Sequence, residues 1–110
     1  MIEIEHKAGK TLHMLRVSGH AGYAAHGEDI VCAGVSAITY ALLGMLENND
    51  QLTHGRRLTS GDVDIAADRT DKTDAAFEMA MIGFGMIAAK YPQCVSIHIS
   101  GTAGDSRERP

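Results

Sequence analysis

Cys32 and two histidines, His20 and His26, fall within one stretch that could do chemistry. It reads Gly-His-Ala-Gly-Tyr-Ala-Ala-His-Gly-Glu-Asp-Ile-Val-Cys-Ala-Gly-Val-Ser-Ala from Gly19 to Ala37. A glycine-punctuated loop carries the histidines and ends at Asp29, a good helix N-cap whose carboxylate can accept from the orphan amides of the next turn. That start places Cys32 in the first helical turn, where backbone N–H groups and the positive end of the helix dipole favour a negative charge. Thiolates form preferentially in such places. The dipole is not enough by itself. Lowering a thiol from about 8.5 to about 7 takes roughly 2 kcal/mol, and a helix start supplies about 0.3–1 kcal/mol. An imidazolium is the obvious second cation, and a Cys–His pair is the minimum apparatus for nucleophilic catalysis by sulfur.

Other readings of the same residues stand beside this one. A lone Cys is often inert core, a loop His is often a solvated surface group, and Asp29 can cap a helix and do nothing more. A metal site would use His20, His26, Cys32 and Asp29, although the gaps between them match no usual structural zinc spacing. A noncatalytic module would use the helix start to hold an anionic group. A cysteine phosphatase is disfavoured, because Ile38 stands where its Cys-x5-Arg loop needs arginine.

Gly19-His20-Ala21, followed by Gly27-Glu28-Asp29-Ile30-Val31-Cys32-Ala33-Gly34-Val35-Ser36-Ala37, resembles the signature of the bacterial ribosomal-processing cysteine protease family. Order, spacing and residue types agree along this stretch. The rest of the chain matches in length and element order. The resemblance implies a cysteine endopeptidase that removes a short N-terminal extension, bearing bulky apolar residues, from the twenty-seventh large-subunit ribosomal protein. It implies Cys32 and His20 as the catalytic pair, Asp29 and Ser36 as supporting residues, no cofactor and a homodimer. His26 inherits no role from it. Acyl transfer would proceed through a Cys32 thiolate with His20 moving the proton. Backbone N–H groups at the helix start, that of Cys32 among them, would stabilise the oxyanion. Asp29 either orients His20 or only caps the helix.

The remaining chain must position these groups. With 110 residues, 45% apolar and 22% charged, it suits one folded domain, residues 1–100, followed by a polar, disordered tail at 101–110. The net charge of −4 argues against nonspecific nucleic-acid binding and favours a basic partner. Two irregularly spaced cysteines make no disulfide framework. The N-terminus does not read as a signal peptide, and no apolar run approaches a membrane span. A reducing cytoplasm is the expected compartment.

Residues 2–6 alternate as a half-buried strand, and 11–18 form a second with a bulge expected at Met14-Leu15. These two make a hairpin that delivers His20 at a strand end. Gly22, Tyr23, His26 and Gly27 belong to a loop expected to close over substrate. The first helix runs from Ile30 to Glu47, with Val31, Val35, Ile38, Leu42 and Met45 as its core stripe and Cys32, Ser36 and Thr39 on a smaller, more polar one. Gly34 suits a close approach. Residues 51–68 fit either one bulged strand or a hairpin. Arg56 and Arg57 read as solvated surface, and Asp62, Asp64 and Asp68 as an exposed strand face rather than a calcium loop.

A second helix spans Asp71 to Lys90 and has two apolar faces. Phe77, Met81, Phe84 and Ala88 make one. Met79, Ile82, Met86 and Ala89 make the other; of the two partners such a helix needs, one is the sheet and the other is either the first helix or a second copy. The last strand, 94–100, should turn Val95, Ile97 and Ile99 inward and Cys94 to its polar face. The order gives an α+β two-layer sandwich: a mainly antiparallel sheet with two helices on one face.

Overall fold

The computed structural model describes residues 1–25, 29–50, 52–59 and 61–101, with backbone only at 53–58. Its elements are β1 (Ile2–Ala8), β2 (Leu12–Ser18), α1 (Ile30–Asn48), β3 (Leu52–Thr59), β4 (Asp62–Asp68), α2 (Asp71–Lys90) and β5 (Val95–Gly101). The sheet order is β3-β4-β2-β1-β5. All pairings are antiparallel except β1 with β5, which is parallel. This is the expected α+β sandwich, and within the stretch 51–68 β3 and β4 pair as a hairpin rather than forming one strand. Of the tail expected at 101–110, Gly101 ends β5, paired with Ala8, and 102–110 lie outside the described residues.

One face of the sheet carries the core and the other faces water. Ile2 and Ile4 of β1, Leu15 and Val17 of β2, and Ile65 and Ala67 of β4 are buried. Glu3, Glu5, Lys7, Met14 and Arg16 point outward. The bulge expected at Met14-Leu15 is absent from the β1–β2 ladder, which pairs without interruption from Glu3↔Ser18 to Ala8↔His13. The alternation runs through His13, a buried residue on the core face. Counting only apolar side chains makes the period look broken.

The helices lie close together because glycines face large aliphatics. A Cβ on Gly34 would lie 3.2 Å from Ile87 Cδ1, and one on Gly83 would lie 2.9 Å from Ile38 Cδ1. Phe77 and Phe84 are fully buried between helix and sheet. Thr70 caps α2, its hydroxyl accepting from the Thr73 N–H while the Thr73 hydroxyl accepts from the Thr70 N–H. By length and a mean hydropathy of 1.8, α1 is apolar enough to cross a membrane, contrary to the expectation from run length. Its Val31, Val35, Leu42, Leu43 and Leu46 belong to the core cluster.

Two expectations for the last strand fail. Cys94 precedes β5 and is buried in the core cluster, because the turn after Pro92 bends it under the sheet edge, where its N–H donates to Tyr91 O. Ile99 is 70% exposed, because β5 is an edge strand whose C-terminal half runs past the core. On α2, Met79, Ile82 and Met86 are 69%, 57% and 71% exposed.

At the far end of the sheet from Gly19, a buried polar chain replaces hydrocarbon. His6 Nε2 lies 3.0 Å from His13 Nδ1, and His13 Nε2 lies 2.7 Å from Asp74 Oδ1. Arg69 donates to both oxygens of Asp74. Both imidazoles stack with Phe77. Burial above all, then the charges of His13 and Arg69, holds the His6 imidazole down at about 4, against an ordinary value of 6.5. The unfolded chain therefore takes up this proton first. Stability is intact above pH 6.5 and declines as pH falls to 4, on the order of 3 kcal/mol at about 1.4 kcal/mol per unit. Below that it changes no further on this account. Chemical denaturation across that window should show the decline, and His6→Gln, which keeps a hydrogen-bonding group without this proton, should flatten it. Equal pH slopes for the two proteins would exclude His6 as the source.

Candidate active site

The site is assembled from the end of β2, the loop that follows it, the start of α1 and the β3–β4 turn. The β2–β4 ladder ends at Ser18↔Asp62. Gly19 then takes φ +93, a conformation open to glycine, and a Cβ there would collide with the carbonyl oxygen of Met1. Its N–H donates to Gly61 O at 2.8 Å. His20 emerges at this strand end with an exposed side chain.

Asp29 caps α1 and holds the loop at the same time. Its Oδ1 accepts from the N–H groups of Val31 and Cys32, both at 3.0 Å. Its Oδ2 accepts from Tyr23 N–H at 2.9 Å and Ala24 N–H at 3.3 Å. The Cys32 N–H foremost, and those of Tyr23, Ala24 and Val31, outweigh burial and hold this carboxyl below its ordinary value. With both oxygens committed to these backbone amides, Asp29 acts as a cap and a loop anchor.

Cys32 is half-buried and free of any disulfide. Its Sγ accepts from the Ala21 N–H at 3.3 Å. This differs from the arrangement expected at the helix start. The Cys32 N–H, expected to face an oxyanion, is taken by Asp29, and the amide directed at the sulfur comes from the loop. Ser36, one turn on, is exposed. Thr39 keeps its place on the stripe, lining the groove with Cys32 and Ser36, but it is buried and its hydroxyl donates to Val35 O at 2.8 Å, the back-bond common for threonine in helices.

His20, Cys32 and Ser36 line one groove of about 810 Å³, together with Tyr40, Asp62 and Val63. Apolar walls with a few converging polar groups suit a peptide chain. Gly22 and Ala24 reach the groove, and Gly22 turns the loop with φ +70. His26 and Gly27 lie outside the described residues. The ring of Tyr23 meets Tyr91 edge-on, with centroids 5.3 Å apart, so the loop is also tied to the C-terminal cap of α2. Sequence reasoning misses Tyr91, Tyr40 and Gly61. Tyr91 and Tyr40 belong to no motif, and Gly61 reads only as a turn. The zinc reading uses His20, His26, Cys32 and Asp29, of which His26 lies outside the described residues. Among the described residues no group of three His, Cys, Asp or Glu is arranged to hold an ion.

Replacing Asp29 by Asn leaves one acceptor where the carboxylate had two. Amide exchange at Tyr23 and Ala24 should then accelerate by about tenfold or more, since these loop bonds open locally without global unfolding. Unchanged exchange at both amides would show that the loop is held by something else.

Residues 1–96 match the family model described as cysteine protease Prp. The chain is 32% identical over 85 residues to the ribosomal processing cysteine protease Prp of Mycoplasma pneumoniae, covering 76% of this chain and 84% of that protein. Its fold is similar to that of SMU.848 from Streptococcus mutans, with TM-score 0.72 and 28% identity, covering 93% of this chain and 96% of the other. It is also similar to the ribosomal processing protease Prp from S. aureus, in complex with a covalently linked product peptide. There the TM-score is 0.79 and the identity 18%, covering 90% of this chain and 99% of the other.

Proposed function

Since the chain belongs to the family of ribosomal-processing cysteine proteases called Prp, and is therefore a cysteine endopeptidase, we propose that Cys32 is its nucleophile and His20 its acid–base group. The observation that carries this reading is that both side chains line one groove of peptide-binding size, with the sulfur half-buried and the imidazole exposed. His20 accepts the thiol proton, and Cys32 Sγ forms a bond to the scissile carbonyl carbon. The carbonyl oxygen takes the electron pair and becomes an oxyanion. The Ala21 N–H, already aimed at the sulfur, is the donor nearest to hand for it. Collapse of this adduct breaks the C–N bond, and the leaving amine takes the proton back from His20. Water then attacks the thioester, releasing the acid and regenerating the thiol. Asp29 serves by holding the loop and the helix start in register, and Ser36 by offering a hydroxyl to the bound peptide.

The substrate is the N-terminal extension of the twenty-seventh large-subunit ribosomal protein. Two features support this: the ribosomal-processing relative, and a net charge of −4 that attracts a basic partner. The loop from Gly22 to Gly27 closes over the bound segment. The protein works in the reducing cytoplasm, where its thiol persists, and needs no cofactor.

It works as a homodimer. Met79, Ile82 and Met86 form an exposed apolar row on α2, and adaptable methionines suit such a contact.

Incubation with the ribosomal protein retaining its extension should give trimming by the wild type. Loss of either Cys32 or His20 to Ala should slow it by about 10³-fold or more, the scale on which nucleophilic and acid–base groups act. Trimming at an unchanged rate by either variant would refute the pair. Sedimentation at micromolar concentration should give twice the chain mass, with Met79→Lys and Met86→Glu together shifting it to the monomer. A monomeric wild type would remove the dimer.

A further inference from the structure

The imidazole of His20 stands against a glycine that no part of the motif includes. Gly61 closes the turn between β3 and β4 with φ +78. A Cβ on it would lie 2.8 Å from His20 Nε2, 3.0 Å from Cε1 and 3.6 Å from Cδ2. The first of these is closer than side-chain carbons approach a ring, so the ring keeps this place only beside a residue with no Cβ. The same turn also grips the backbone ahead of the ring. Gly61 O accepts from Gly19 N–H at 2.8 Å, one step beyond the last ladder pair, Ser18↔Asp62.

A methyl group at this position would act on geometry more than on folding. His20 is exposed and its ring turns about two single bonds, so the cheapest relief is rotation of the imidazole. The fold would survive and the ring would stand elsewhere. A Cβ at Gly22, Gly44 or Gly85 would meet nothing within 4 Å, and at Gly19, Gly34 or Gly83 it would meet backbone or a core aliphatic; at Gly61 it meets a histidine ring.

We propose that Gly61 is a positioning residue for His20. Its bare Cα is the shelf that sets where the imidazole stands in the groove, and its carbonyl fixes the backbone from which that imidazole springs. This rests on the assignment of His20 as the acid–base group. The β3–β4 hairpin, which carries neither member of the pair, thereby enters the machinery: it decides where the proton acceptor is held.

Two substitutions separate the shelf from simple backbone strain. Gly61→Ala brings both a Cβ and a residue that resists positive φ. Gly61→Asn brings the same Cβ on a residue that tolerates the left-handed region. The substrate is a synthetic peptide spanning the ribosomal-protein extension. Both variants should lower kcat by about tenfold to a hundredfold, as a displacement of about 1 Å can. KM should change far less than kcat, because Gly61 is one position of the groove wall and the rest of the lining is unchanged. The ¹⁵N resonances of the His20 ring should move in both variants, while the amide spectrum of the core stays in place. Wild-type turnover by Gly61→Asn with a defective Gly61→Ala would assign the effect to strain and overturn the shelf. Unmoved ring signals with unchanged kcat in both would overturn it as well. His20→Ala, assayed alongside, keeps the two ideas apart. Cleavage retained by His20→Ala removes the acid–base assignment itself. Cleavage lost there but intact in both Gly61 variants removes only the shelf.

Discussion

The carboxylate of Asp29 is the constraint on which the rest of the site depends. Four backbone N–H groups converge on its two oxygens. Two belong to the first turn of α1 and two to the loop after β2, so one side chain sets the distance between helix start and loop. Charge-assisted bonds of this kind are stronger than neutral ones, and an ionised acceptor is favoured by every donor that faces it. Without this clasp, the helix start carrying Cys32 and the strand end carrying His20 would lose four bonds and keep the Ala21 N–H to Cys32 Sγ contact. A carboxylate that holds both is worth more to the site than one aimed at the imidazole, because it fixes two elements at once.

The sheet order does the remaining positioning. Placing β4 beside β2 brings the β3–β4 turn level with the end of β2, so Gly61 and Gly19 meet by a backbone bond. The parallel β1–β5 pair starts at Ile2↔Val95, and the Ile2 N–H donates to Cys94 O. That contact closes the edge of the sheet beneath the groove, where Ile2 is one of the lining residues. Tyr91 at the end of α2 completes the frame through its contact with Tyr23. Three chain segments remote in sequence therefore bear on one loop.

Much of this was legible in the residues. The helix with Asp29 at its cap and the strand end at His20 follow from capping preference and period, and α2 runs from Asp71 to Lys90 as its apolar spacing requires. What escaped did so for identifiable reasons. His6 and His13 occupy inward positions of their strands, yet a pattern that counts histidine as polar reads those positions as outward. The apparent bulge at Met14 comes from the same miscount. Cys94 and Ile99 are misplaced by extending an alternation to both ends of a strand, but burial depends on what lies above each residue, and the helices cover only the first half of β5. Gly61 can be read as a turn and no more, because no local pattern tells which side chain a distant turn will support.

The donors around Cys32 are divided between the helix start and the segment after β2. Helix-start amides are the usual stabilisers of a thiolate or an oxyanion, yet here the Val31 and Cys32 amides face a carboxylate. The donor that faces the sulfur is the Ala21 N–H, and it belongs to the segment between His20 and the loop. The polar environment of the nucleophile is therefore supplied by the loop side of the groove rather than by the helix. Ala21 is itself buried in the core cluster, so the donor at the sulfur is held by packing as well as by the Asp29 clasp on the residues that follow it. The surroundings of Cys32 are thus set by the fold before any peptide arrives.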